Sequence, residues 1–305
     1  MTWPIKRLHI ETSTICNSDC EICPQSLIQR QKKIDVVRVK RLITEDAVAY
    51  ASTLHLVEFH NYNEPLLAFD LFCELSSLVN ATFGPHKVGL VSNGSVMDEK
   101  KADRLVDLRL AHVLFSVDGF SKEVYENHRR GLDRDQVYRN IDTFIERSAA
   151  RDGPVPLVNY TVTPGNAHEA IITKDHFAGR RCNFHLSACD GRGSDSGKLV
   201  AISNMNMSTN GPCDYALDGV YVLSNLDIVT CCEDWSGKDV MGNLMQSTLQ
   251  EVVDGAAYQR FRELHFSGQK HQIALCRDCK TNMSYAESYK KTVPVEALTS
   301  IRATR

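Results

Sequence analysis

Along the first 190 residues, short aliphatic and β-branched runs alternate with longer stretches whose apolar positions recur at helical spacing. The strand-like runs are Arg7–Glu11, Leu54–Phe59, Lys87–Val91, His112–Val117, Leu157–Val162 and Asn183–Ala188. Between them lie Thr44–Thr53, Leu66–Val79, Asp98–Leu108, Gln136–Ser148 and Ala167–Phe177. In Gln136–Ser148, the residues Val137, Ile141, Phe144 and Ile145 share one face, the stripe of a helix laid on a core. Six strands separated by helices predict an α/β fold with a parallel sheet, either open or part of a barrel. Reactive loops in such sheets gather at the C-terminal ends of the strands.

After Cys189 the pattern changes. Asp190 to Gly197 is turn-rich, and two strand-like runs follow, Gly219–Leu223 and Ile228–Cys232, around a hairpin turn at Ser224 to Asp227. Leu249–Phe266 reads as one helix and residues 290–305 as a weakly ordered tail. The expected division is a large α/β unit over 1–190, a smaller cysteine-bearing unit over 191–289, and the tail.

Composition narrows the class. The chain has 305 residues, 43% of them hydrophobic, enough for a folded core, and a net charge of −3 that gives no reason to expect nucleic acid. No run approaches the roughly 18 uninterrupted apolar residues of a membrane span. Met1 to Glu11 lacks the apolar core of a signal peptide, so a cytoplasmic location is expected.

The eleven cysteines change the picture most. In a reducing compartment, clustered thiols hold metal more often than they form disulfides. Cys16, Cys20 and Cys23 form C-x3-C-x2-C directly after the first strand. Three thiolates on one loop can bind three irons of a cubane cluster and leave the fourth open, or hold zinc with a distant fourth ligand. Cys213, Cys231, Cys276 and Cys279 offer four thiols, enough to close a [4Fe–4S] cluster or a structural zinc site. Cys73, Cys182 and Cys189 read as core thiols. Cys232, next to a ligand candidate, reads as a buried thiol or alternative ligand, or as a hydrogen-atom donor on the opposite strand face.

The three-cysteine loop after a first strand resembles the radical S-adenosylmethionine (radical SAM) superfamily, and the resemblance runs over nearly the whole chain. It implies a partial (β/α)6 barrel. It also implies that SAM chelates the open iron and is cleaved reductively to a 5′-deoxyadenosyl radical that abstracts a hydrogen atom. Ile22 stands where the family often has an aromatic residue. Asn61-Tyr62-Asn63-Glu64-Pro65 ends the second strand, like the family's Gly-Gly-Glu-Pro-like motif with both glycines replaced. By that resemblance Asn63 and Glu64 belong to the SAM site, with Glu64 accepting from the ammonium. Ser92-Asn93-Gly94 is similar to the family's third-strand Thr-Asn-Gly. Ser116 and Asp118 at the fourth strand imply contacts to ribose or methionine, Arg130 to a carboxylate, and Tyr160 a weaker contact of the same kind.

The later segments look like the SPASM/Twitch extension, an α+β unit with a hairpin and helix. The Gly242-Asn243 pair, the helix with Arg260 and Arg262, and the late C-x2-C carry that likeness. With no cysteine after Cys279, the shorter Twitch form with one auxiliary [4Fe–4S] cluster is implied, besides the SAM-binding one. Arg192 stands where relatives place an arginine toward SAM or substrate. The spacing of the four later cysteines is similar to aminocyclitol dehydrogenase members, which implies dehydrogenation or epimerisation of a sugar, aminocyclitol or aminoglycoside-like metabolite in antibiotic biosynthesis. Flavodoxin or ferredoxin would supply electrons. Alternatives are a peptide maturase or epimerase, and a non-catalytic iron–sulfur or zinc protein.

Overall fold

The computed structural model describes residues 3–30, 33–189, 211–277, 279, 293, 295 and 298. The strands are β1 (Arg7–Ile10), β2 (Leu56–Glu58), β3 (Val88–Ser92), β4 (His112–Ser116), β5 (Leu157–Val162) and β6 (Asn183–Ala188), each close to its predicted place. They pair in parallel in chain order. A further strand, β7 (Gly219–Val222), adds to the free edge of β1, also in parallel. Antiparallel β8 (Asp227–Val229) and β9 (Val240–Asn243) follow, completing one nine-stranded sheet. The cysteine-bearing region therefore shares the sheet of the larger unit.

The pleat decides which residues meet. On β1 the even positions Leu8 and Ile10 enter the main core, and so do Val113 and Phe115 on β4. The odd positions of β1 and the even ones of β4 face the concave side. The helices Phe69–Phe83, Glu99–Asp107, Arg134–Ala150 and Ala170–Phe177 cover the convex side. The stripe Val137, Ile141, Phe144 and Ile145 is buried as its periodicity predicts, at about 1.5–3 kcal/mol per large side chain. Pro65–Phe83 is long and apolar enough by composition to cross a membrane. Asp70 and Glu74 interrupt it, and it buries Phe72, Leu75 and Val79 in the core.

Several boundaries differ from expectation. The first helix begins at Val36, where the Asp35 side chain accepts from Val37 N and Arg38 N, and its end at Leu42–Asp46 is a π turn. Its basic residues had hidden the buried Val39, Leu42 and Ile43. The unforeseen helix Lys122–His128, capped by Ser121, is too short to show a period. The predicted Leu249–Phe266 is two helices, Leu249–Val253 and Ala256–Phe266, because Gly255 is extended. The second hairpin strand ends at Val229, so Cys231 and Cys232 lie beyond it. The strand-alternation argument for Cys232 therefore does not apply. In the predicted tail, Val293 and Leu298 are buried against Tyr160, Val162 and Leu186, and Val293 N donates to Leu186 O at 2.8 Å.

Polar contacts join the two regions. Glu11, fully buried, accepts from Arg30 at 2.6 Å and from Ser224 N at 3.0 Å, and Arg30 also donates to the Trp235 carbonyl. Arg38 donates to the carbonyls of Leu244 and Ser247, and Lys6 to Asp218 at 2.9 Å.

Candidate active site

A cavity of about 390 Å³ opens at the C-terminal ends of the barrel strands. That size lies within the roughly 300–1,000 Å³ typical of small-molecule sites. Cys16, Cys20, Cys23 and Ile22 line it, as do Asn63, Glu64, Ser92, Asn93 and Ser116.

The cysteine loop is pinned by its own polar residues. Asn17 donates to Ser95 at 2.8 Å and accepts from Asn93 at 3.0 Å. Asp19 N and Glu21 N donate to the carbonyls of Arg130 and His128, and Glu64 N donates to Ile15 O. Gly131, at φ +91°, lets the loop approach closely, since a Cβ there would stand 3.1 Å from Asn17 O.

Glu64 is buried at the head of a short helical turn. Its Oε1 accepts from Leu66 N at 3.0 Å and Ser92 Oγ at 2.8 Å, its Oε2 from Asn93 N at 2.7 Å. Burial pushes its pKa up against those hydrogen bonds. Glu64 thus locks the ends of β2 and β3 together. Asn63 does similar work, donating to Thr12 Oγ1 and Phe59 O while accepting from Asn61 N.

Four predicted residues, Arg130, Asp118, Tyr160 and Cys232, do not line the cavity. Arg130 is half-exposed, and its Nε donates to Asp19 O. Its neighbour Arg129 lines the cavity instead, paired with Asp118 at 2.5 Å and 3.9 Å from the Cys20 sulfur. Asp118 lies behind that pair, accepting also from Thr161 N at 2.8 Å. Burial alone would lower the Arg129 pKa, but Asp118 and Cys20 raise it. Tyr160 is wholly buried on the convex side with its hydroxyl on Asn166 O. Asn159 and Thr161, one position away on either side, face the cavity. Arg192 lies outside the described residues.

The remaining wall includes residues that sequence reasoning missed: His60, Tyr62, His185, Ser187 and Tyr215. Tyr62 buries its ring and hydrogen-bonds through its hydroxyl to the Cys232 carbonyl at 2.5 Å. The Cys232 sulfur lies 3.9 Å from Glu233 Oε1. Strand-end position and period-two alternation would have pointed to Thr161 and His185. Nothing local marks Tyr215.

The second thiol group assembles around apolar residues. Cys213 and Cys276 pack with Ala216, Leu217, Phe261 and Ile273. His265 lies between them, 3.4 Å from Cys213 N and 3.7 Å from the Cys276 sulfur. Burial, then the charges of Cys279 and Cys213, push Cys276 up to about 12. Cys231 is raised as well, by its hydrogen bond with Cys232, burial and nearby thiols. In the first group burial takes Cys16 to about 12. Converging buried thiols that resist ionisation next to one another become thiolates when a cationic centre compensates them. Both donor sets fit iron–sulfur clusters.

The fold and these two sites define a radical SAM enzyme with a SPASM/Twitch extension. The chain belongs to the radical SAM superfamily, whose model matches residues 10–172. The SPASM iron-sulfur cluster-binding domain matches residues 213–280. Its cofactors are S-adenosylmethionine and iron–sulfur clusters. Among relatives, it is 24% identical over 277 residues to the S-adenosyl-L-methionine-dependent 2-deoxy-scyllo-inosamine dehydrogenase of Niallia circulans, covering 89% of this chain and 91% of that one. The crystal structure of BtrN in complex with AdoMet and 2-DOIA superposes with a TM-score of 0.65 at 17% identity, over 93% of this chain and 98% of that one. Streptococcus suis SuiB bound to precursor peptide SuiA gives 0.68 at 14% identity, over 88% and 71%.

Proposed function

We propose that this enzyme is an oxidoreductase that dehydrogenates a hydroxyl-bearing carbon of a cyclitol, aminocyclitol or related sugar-like metabolite. The near end-to-end likeness to a 2-deoxy-scyllo-inosamine dehydrogenase carries the reading. A second thiol site in the same chain supports it. Oxidising a secondary alcohol removes a hydrogen atom from carbon, a proton from oxygen and one further electron, so an electron acceptor is required besides the hydrogen-abstracting centre.

In this reading Cys16, Cys20 and Cys23 hold the SAM-binding [4Fe–4S] cluster, and Cys213, Cys231, Cys276 and Cys279 an auxiliary one. When bound, the first cluster and SAM supply a one-electron cleavage to a hydrogen-abstracting 5′-deoxyadenosyl radical. The protein's own residues orient the reactants. Glu64, clamped by Ser92 and Asn93, presents its remaining lone pairs to the SAM ammonium. Ser116 offers a hydroxyl from the barrel wall, and Ile22 an apolar surface. Arg129, steadied by Asp118, takes the carboxylate-binding part first expected of Arg130. Tyr62, His60 and His185 offer polar contacts that suit a hydroxyl-rich substrate. We assign the enzyme to the cytoplasm, with flavodoxin or ferredoxin as reductant.

Epimerisation with Cys232 as hydrogen donor is the second reading, favoured by the hydrogen bond that its carbonyl accepts from the cavity-lining Tyr62. Anaerobic incubation of the reconstituted enzyme with SAM, dithionite and a cyclitol and aminocyclitol panel separates the two. A hydroxylamine-trapped ketone formed one-to-one with 5′-deoxyadenosine is expected. Product carrying one solvent deuterium and no carbonyl would favour epimerisation. Turnover of peptides alone would move the enzyme to the maturase class.

A further inference from the structure

The concave face of the sheet carries a polar row beneath the cavity that the reaction above leaves unused. Strand register places Tyr221, His9, Glu58, Gly89 and His112 side by side across five adjacent strands. His9 Nδ1 lies 3.2 Å from Glu58 Oε2, and His112 Nε2 lies 3.0 Å from Oε1. Gly89 makes the second contact possible, because a Cβ there would lie 2.3 Å from the His112 ring. A glycine in mid-strand costs stability, so its service here is to let an imidazole cross an intervening strand.

His60 completes the group from just beyond β2. One ligand atom each from His9, Glu58 and His60 lies within 4.8 Å of the others. Atoms about 2.1 Å from a common ion cannot be more than about 4.2 Å apart, so small side-chain turns close the difference. His9 is nine-tenths buried, and its Nε2 has no hydrogen-bond partner. His9 Nδ1 and Glu58 Oε2, 3.2 Å apart, are spaced as two ligands of one ion about 2.1 Å from each. Two imidazoles and a carboxylate suit divalent transition metals such as zinc or iron.

We propose that His9, Glu58 and His60 bind a divalent transition-metal ion, separate from both thiol groups, with His112 holding Glu58 in place from across Gly89. Because His60 also lines the cavity, the ion would present its open position toward that space, where water or a hydroxyl is the fitting further ligand. The site shares His60 with the cavity wall of the dehydrogenase reading, but metal binding does not depend on that reading.

The test uses enzyme reconstituted anaerobically to full iron and sulfide, treated with zinc sulfate and desalted. Metal analysis is expected to find about one zinc per chain, and zinc-edge X-ray absorption a nitrogen and oxygen shell without sulfur. His60→Gln and, separately, Glu58→Gln are expected to lower bound zinc at least about tenfold while iron and sulfide stay unchanged. Wild type that keeps no zinc, zinc bound through sulfur, or both variants retaining zinc would overturn the proposal. The wild-type absorption spectrum decides the case by itself if a variant fails to fold.

Discussion

The two thiol sites are built on opposite plans. Cys16, Cys20 and Cys23 come from one eight-residue loop, pinned by Asn17, Asn93 and the backbone of the helix before Gly131. That loop opens on a polar cavity and has a guanidinium near one sulfur. Cys213, Cys231 and the Cys276/Cys279 pair come from three segments, and Cys213 and Cys276 pack among Ala216, Leu217, Phe261 and Ile273. The base beside them, His265, is pushed down to about 4 by burial and by Lys270, so it is neutral. An open, charged surrounding suits a centre that touches small molecules. The apolar packing around the second site suits the electron-exchanging part proposed for it. The lesson is that donor type is the same in both, and the surroundings are what distinguish the two sites.

The sharpest break in that contrast is Cys20→Ala. It is expected to cut 5′-deoxyadenosine formation by more than about a thousandfold while about four irons remain bound, measured by chromatography and iron analysis. Loss of all iron would mean that the two sites are not independent. Cys276→Ala tests the other side. It should lose about four irons yet still cleave SAM, with ketone product falling far more than 5′-deoxyadenosine. Equal loss of both products would deny the second site a separate part.

Stability effects come next. Arg129→Met leaves Asp118 buried without its partner, which should cost about 3–5 kcal/mol by denaturant unfolding and weaken SAM binding. A cost below about 1 kcal/mol would show the pair to be dispensable. Gly89→Ala drives a Cβ into the His112 ring and should cost about 1–3 kcal/mol. Smallest is Thr248→Ala, which removes the capping box of Leu249–Val253. About 1 kcal/mol is expected, with both iron sites intact. An iron loss there would tie the second site to that helix.

Much of the barrel was legible because strand runs and helix stripes are local patterns. Leu157–Val162 and Asn183–Ala188 match to the residue. What failed had no local mark. Arg129 and Arg130 are indistinguishable in sequence, and only the turn after Lys122–His128 aims one inward. Tyr160 lies one step of the pleat away from the cavity-facing Asn159 and Thr161. His9, Glu58 and His112 are scattered polar residues until strand register sets them in one row.

The sequence by itself determined the alternation of strands and helices, the two thiol groups and the family. Those properties reside in spacing along the chain and in donor chemistry, which neighbouring residues carry. Only the tertiary structure decided which face each strand residue presents and which arginine reaches the cavity. It also decided that β7 closes onto β1 and that a glycine joins two histidines to one carboxylate. These depend on register and pleat, where a shift of a single residue moves a side chain from the cavity to the core.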